Sequence, residues 1–341
     1  MKNLLIVTQK VDKNDSVLGF FHEWINEFAK QYDSVIVVCL WRGNYSLPKN
    51  VKVLSLGKEE GVSKFTYVLR FYKYIWQERK NYQSVFVHMN QEYVLLAGVF
   101  WRILKTPVYF WRNHSYGNFL TRIAVVLSNR VFCTSSQSFT ARFKKSILMP
   151  AGVDTSVFIS DGEVERRLRH VCMVGRVSPV KHVFEAVEAV KKSLDDGKEF
   201  YLGVFGPVLK EDLIYFDKIK KYVSQNDLGR LVSFNGSLNQ KELPSIYSSF
   251  EVCLNLTESG SFDKTIVESA GCGTIPLVSN TSLSGSLPKE CFVGFSKEEI
   301  CEGLEKIFNL NNREEVLRSL QVFSKKNSLD FLMSRLSEVM S

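Results

Sequence analysis

The feature that most constrains this chain is an alternation kept up along most of its length: short unbroken runs of β-branched and aromatic residues, separated by segments of helical period. In the first half the runs are NLLIVT (3–8), SVIVVCL (34–40), VKVLSL (51–56), SVFVH (84–88), PVYFW (107–111) and RVFCTS (130–135). A strand with one wet face alternates apolar and polar residues. These do not, so they read as strands of parallel sheets buried on both faces. Helix candidates lie between them, including Gly19–Tyr32 and Val62–Lys80. The pattern restarts with HVCMVG (170–175), FYLGVFG (200–206), LVSFNG (231–236), FEVCLNL (250–256) and TIPLVS (274–279). Two successive β-α series predict an α/β protein of two doubly wound, Rossmann-like domains. A length of 341 residues suits two cores better than one.

The join is expected near PAGVDTSVFISDGEVERRLRH (150–170), a polar stretch punctuated by Pro150, Gly152 and Gly162 that starts no clear element. This places the first domain at 1–158 and the second at 159–325. Two final helix candidates follow, Lys297–Asn309 and Glu314–Met340, and the segment from about 326 to 341 is expected to pack back on the first domain. No internal repeat or low-complexity tract is apparent.

Composition excludes several classes. At 45% apolar and 23% charged the chain is globular. Its longest candidate membrane span, Tyr93–Trp111, is interrupted by Arg102 and Lys105. The opening MKNLLIVTQKVDKND turns charged too soon for a signal peptide and reads as a first buried strand, so a cytoplasmic location is expected. Seven cysteines are scattered singly, without a Cys-x-x-Cys pair or clustered histidines, and read as buried reduced thiols. Charge is uneven. Residues 1–160 carry 21 Lys+Arg against 10 Asp+Glu, net +11, which leaves −3 of the total +8 for the rest. The first half therefore faces something anionic, a membrane surface or a phosphorylated substrate. No nucleic-acid-binding module is seen.

Chemistry concentrates in the second half. VCMVGRVSPVKHVFEAVEAV (171–190) reads as a strand ending at Gly175, a loop with Arg176 and Lys181, and a helix from about His182. Ligands of open α/β sheets collect at the carboxyl ends of strands, and two cations beside a helix N-terminus suit a diphosphate; two solvated loop cations are the bland alternative. GSFDKTIVESAGCGTIPLVS (260–279) reads as a turn, a short helix and a strand, with Asp263 or Ser261 capping the helix and Glu268 about one turn in. A carboxylate there accepts two hydroxyl hydrogen bonds, as from a ribose; an exposed helix glutamate is the bland reading. Ala270, Gly271 and Gly273 permit close approach.

With these motifs in place, the chain resembles the retaining glycosyltransferases of family four, the group 1 glycosyltransferases of GT-B architecture, with two Rossmann-like domains facing across a cleft. VGRVSPVK resembles the family's Val-Gly-Arg loop ending in lysine, which implies that Arg176 and Lys181 meet the donor diphosphate. FDKTIVESAGCGTIPLVS resembles the segment that carries the second glutamate of a Glu-x7-Glu pair, which implies that Glu268 reads the ribose. Gly206, Gly260, Ser261, Phe262, Asp263, Lys264 and Thr265 are the accompanying donor-side candidates. PAGVDTSVF (150–158) is similar to the interdomain Asn-Gly-Val-Asp-x-x-x-Phe, with Ala151 for the usual Asn. WRNHS (111–115) resembles the place of a histidine facing the donor sugar, which implies that role for His114.

One position departs. Eight residues before Glu268, where the family most often carries its first glutamate, this chain has Gly260. Gly-Ser-Phe-Asp-Lys resembles a variant of some bacterial members, in which Asp263 or Lys264 would substitute. The first domain departs too: its KVDKNDSVLGFF loop has only Gly19 where many members carry a glycine pair.

The resemblance implies retaining transfer of a sugar from a nucleoside diphosphate to an acceptor hydroxyl, in bacterial cell-surface glycan or lipid-linked saccharide synthesis. No metal or other cofactor is expected, and no Asp-x-Asp occurs. An acceptor is expected on the first domain, with Asp15, Gly19, His88 and Asn90 as candidates. Val62–Lys80 sets Val62, Phe65, Val68, Leu69, Tyr72, Ile75 and Trp76 on one face with cations around it. That pattern suits either a core stripe or a surface for anionic lipid. Two other functions share these features: a nucleotide-sugar-binding relative acting as a scaffold, and a UDP-sugar epimerase of the same architecture, against which the Arg176–Lys181 loop argues. A dehydrogenase is weaker, because neither domain opens with Gly-x-Gly-x-x-Gly.

Overall fold

The computed structural model describes residues 2–15, 17–260 and 262–340. The chain divides into two compact units, Met1–Gly152 with Leu329–Ser341, and Val153–Ser328. The sequence reading set its divisions at 158–159 and 325–326.

The first unit holds a wholly parallel seven-stranded sheet of β1 (Asn3–Val11), β2 (Ser34–Arg42), β3 (Val51–Ser55), β4 (Ser84–His88), β5 (Val108–Trp111), β6 (Arg130–Cys133) and β7 (Ser146–Leu148), in the order β3-β2-β1-β4-β5-β6-β7. Strand β7, three residues within KKSILMP, is too short to leave a periodic signal and is absent from the sequence reading. Successive residues of β1 enter different cores. Leu4 and Ile6 join one cluster with Trp24 and Phe28 of α1 (Phe20–Gln31), while Leu5 and Val7 join another with Phe71 and Ile75 of α2 (Lys64–Gln77). This is why NLLIVT is apolar without alternation. Helices α3 (Gln91–Ile103) and α4 (Phe119–Leu127) cover the same face as α2.

The second unit holds a parallel five-stranded sheet, β8 (Arg167–Val174), β9 (Tyr201–Phe205), β10 (Val232–Phe234), β11 (Phe250–Asn255) and β12 (Ile275–Val278), ordered β10-β9-β8-β11-β12. Its helices are α5 (Val183–Asp195), α6 (Leu213–Gln225), α7 (Leu243–Ser249), α8 (Lys264–Gly271), α9 (Lys297–Phe308) and α10 (Arg313–Lys326). The expected single helix Glu314–Met340 is two, α10 and α11 (Leu329–Met340). The break falls at Asn327 and Ser328, where Asn327 offers its carbonyl to Val153 N (3.0 Å). Beyond it α11 buries Leu332, Met333 and Leu336 in the core of the first unit.

The stripe on α2 is corrected in part. Its buried side chains are Phe71 and Ile75, whereas Phe65, Leu69, Tyr72 and Trp76 are exposed. Among the described residues no helix is long and apolar enough to cross a membrane, and the six cysteines other than Cys301 are buried.

Candidate active site

Strand β8 runs out at Val174 into Gly175, whose φ of +138° turns the chain away from the sheet. Gly206 ends β9 in the same way, and its N–H donates to the Gly236 carbonyl at 2.7 Å. Its own φ is +151°, and a Cβ there would lie 1.9 Å from the Gly175 carbonyl oxygen, so only glycine closes this pair of strand ends. A short turn, Pro179–Lys181, then leads to α5 with His182 in the left-handed region.

Lys181 is directed across the strand ends to β11 and α8. Its ammonium donates to Thr257 Oγ1 at 3.0 Å and pairs with Asp263 Oδ2. Asn255, the last residue of β11, donates to the same carboxylate and to Thr265 Oγ1, both at 2.9 Å. The other oxygen of Asp263 caps α8 by accepting from Thr265 N (3.3 Å). Burial alone would raise the Asp263 pKa, but the Lys181 charge, with the hydrogen bonds from Lys181 and Asn255, outweighs it and brings it down to about 2. Asp263 is therefore ionised at neutral pH and fixes Lys181 at the N-terminus of α8.

Glu268 lies one turn further on and is buried; Tyr247 Oη donates to its Oε2 at 3.1 Å. Burial first, then the Asp263 charge, push its pKa upward, against the pull of Lys264 and Tyr247. Lys264, on the same turn, is shifted down by burial. A carboxyl and an amine are thus held in the first turns of α8 with little solvation, and burial disfavours the charge on each.

Lys181, Asp263, Lys264, Thr265 and Glu268 are brought together as the sequence suggested. The guanidinium of Arg176 is turned to Glu211 and Asp212, each at 3.5 Å. Two acids some thirty-five residues downstream claim a cation that sequence spacing had set beside Lys181. Phe262 stacks on Phe323 of α10 with ring centroids 6.3 Å apart. Gly260 has a φ of +106°, in a turn that a glutamate would enter only with strain. Ser261 lies outside the described residues. Tyr247, Asn255 and Thr257 complete the cluster. Sequence reading passed over them, although Asn255 and Thr257 follow the β11 run directly, where ligand-facing residues of such sheets sit.

In the first unit His114 is exposed after β5 and its Nδ1 accepts from Tyr116 N at 3.0 Å. Asp15 braces its loop, accepting from Leu18 N (2.7 Å) and Val17 N (2.9 Å) and pairing with Lys10. Gly19 donates to the Asp15 carbonyl at 3.0 Å, and Asn90 starts α3. His88 is corrected: its ring is buried, stacked on Phe21 at 3.8 Å and within 3.1 Å of Thr8 Oγ1, so it packs in the core and lines no surface. Arg112, between β5 and His114, has a buried Nη1 without a hydrogen-bond partner, and burial lowers its pKa.

Two Rossmann-like units with parallel sheets, one presenting a lysine and a buried glutamate at a helix N-terminus beside its strand ends, define an α/β protein of GT-B type. Residues 161–318 match the family described as Glycosyl transferases group 1, so the second unit carries a glycosyltransferase domain. No curated protein matches the chain. Among solved structures, HepE of Anabaena in complex with UDP and glucose superposes with a TM-score of 0.79 at 14% identity, over 100% of this chain and 99% of that one. Sucrose-phosphate synthase of Thermosynechococcus elongatus gives 0.78 at 12% identity, over 100% and 98%. A glycosyltransferase of Rickettsia africae gives 0.74 at 12% identity, over 99% and 97%.

Proposed function

We propose that this protein is a retaining glycosyltransferase that moves a sugar from a nucleoside diphosphate to an acceptor hydroxyl without needing a metal ion. The observation that carries this reading is the α8 N-terminus, where Asp263 holds Lys181 and its charge reaches the buried Glu268, inside the matched family segment. HepE was crystallised with UDP-glucose, which makes a uridine donor the first to try.

In this reading the diphosphate lies on the N–H groups of α8 and on Lys181, and Glu268 accepts from the ribose hydroxyls. The bond from the anomeric carbon to the phosphate oxygen breaks, and the acceptor oxygen bonds to that carbon on the same face. The acceptor proton passes to the departing phosphate oxygen. Charge grows on the phosphate as the bond lengthens, and Lys181 with the helix N-terminus stabilises it most at that point. Arg176 joins after exchanging Glu211 and Asp212 for the diphosphate, and His114 orients the sugar. Synthesis of a bacterial cell-surface glycan or lipid-linked saccharide is the role this chemistry fits.

A second reading, a nucleotide-sugar-binding scaffold without turnover, is favoured by Gly260, which stands where the first glutamate is expected and has a positive φ that a glutamate would adopt only with strain. One experiment separates the two. The purified protein is incubated with UDP-, GDP- and ADP-sugars and a mixture of saccharide acceptors, with and without a chelator, and product linkage is read by NMR. Retained anomeric configuration with chelator present supports the enzyme reading. Donor binding without transfer or hydrolysis supports the scaffold, and no donor binding rejects both.

A further inference from the structure

One stretch of the first unit has a charge balance that its core does not need. Between Glu92 and Asp154 the chain carries eight Lys+Arg and no Asp or Glu. Three of these cations, Arg102, Lys105 and Lys145, line a cavity of about 410 Å³ at the amino-terminal edge of β5, with Ser128 and Asn129 from the turn after α4. Lys145 is pinned by the carbonyls of Ser128 (2.7 Å) and Val126 (3.2 Å), and Arg102 reaches Val126 O at 3.4 Å. Among the described residues no carboxylate pairs with any of the three. Burial, followed by the charges of Arg102 and Arg130, lowers the Lys145 pKa. Cations are held against one another here with no anion to offset them.

The rim of this cavity is apolar. The end of α3 exposes Val99 and Ile103, the latter 75% accessible, and the end of α4 exposes Val126. The α3 surface continues onto α2, where the rings of Phe100 and Trp76 are 5.9 Å apart and Tyr72 Oη donates to Leu96 O at 2.9 Å. Leu69 and Phe65, 71% accessible, extend the stripe at helical spacing, and Arg79 lies over the Trp76 ring at 4.2 Å. A protein partner would be expected to meet such a face with specific acids. A bilayer meets it with a plane of phosphates above hydrocarbon, which suits aromatic and aliphatic tips flanked by unpaired cations.

We propose that the outer face of α2, α3 and the end of α4 rests on an anionic bilayer, with the cavity of Arg102, Lys105 and Lys145 taking the phosphate of one lipid headgroup. The test uses no sugar donor, so its outcome is separate from that of the transferase reading. The full chain is sedimented with phosphatidylcholine vesicles, with and without about a third phosphatidylglycerol, at low and high salt. Binding is expected only to the anionic vesicles. It should weaken roughly thirtyfold in the Arg102→Ala/Lys105→Ala double variant, where two lipid-facing charges are gone. Ile103→Asp and Trp76→Ser should weaken it as well, with melting temperatures unchanged because all four side chains are exposed. Equal binding to neutral vesicles, no binding to either, or wild-type binding by these variants would overturn the proposal. It is likewise overturned if soluble glycerol phosphate binds as tightly as the vesicles do, which would assign the cavity to a free phosphate. A dimer in sedimentation velocity that Ile103→Asp dissolves would assign the face to a second copy.

Discussion

Lys181 and Asp263 are eighty-two positions apart in sequence and form one device in space. The lysine was legible from its place after a strand and before a helix, and Asp263 as a helix cap. That each fixes the other was not, since nothing local marks a long-range ion pair. The pair has a consequence for pH. The Asp263 carboxyl has an ordinary value of 3.8 and a folded value of about 2, so the folded state binds its proton less readily than the unfolded chain does. Its contribution to stability is full above about pH 4 and is lost as pH falls toward 2, roughly 2 kcal/mol in all. In urea unfolding at pH 7, Asp263→Asn should be less stable than wild type by about that much, and the gap should narrow to about a third by pH 2.5. A constant gap would place the stabilisation elsewhere. Lys181→Ala and Glu268→Ala should each abolish the rise in melting temperature given by the best nucleotide while leaving the folded protein intact. Unchanged shifts would remove both from the binding site.

At the scale of elements, the strands buried on both faces were readable because nothing in NLLIVT or FEVCLNL has to meet water. What escaped has physical reasons. Strand β7, at three residues, is too short to show a repeating pattern. The join of α10 to α11 holds no glycine or proline, only Lys325, Lys326, Asn327 and Ser328, so no residue type marks a break that tertiary contacts impose. Phe71 rather than Phe65 faces the core because packing against Tyr93 and Trp101 fixes the roll of α2. The ends of β8 and β9 offer the sharpest test at this scale. With its Cβ position only 1.9 Å from a backbone oxygen, Gly206→Ala forces the two strand ends apart. A loss of at least about 2 kcal/mol is expected, since neither the φ nor the space admits the methyl. Gly197, which also has a positive φ of +69° but open space around it, should lose less when changed to Ala. Equal losses at the two positions would show that close approach is not what selects glycine at 206.

For the whole molecule, the same alternation occurs twice, yet the two halves differ in what they carry: net +11 in the first 160 residues, and the cluster of Lys181, Asp263 and Glu268 in the rest. The final helix ties its fate to the first unit, not to the second, from which it emerges. Its Leu329, Leu332, Met333, Leu336 and Met340 pack with Trp24, Ile25 and Phe28 of α1 against β1, β2 and β4. At about 2 kcal/mol for each buried side chain, removing α11 withdraws roughly 10 kcal/mol of burial, as much as a domain's whole net stability. A chain ending at Ser328 should therefore lose the cooperative unfolding transition of the first unit. The second unit keeps its full set of five strands and, with it, Lys181, Asp263 and Glu268. Calorimetry of the truncated chain is expected to show one transition that still moves to higher temperature when the best nucleotide is added. Two transitions, or one that ignores the nucleotide, would mean either that the last helix is dispensable to the first unit or that the donor site needs more than the second unit supplies.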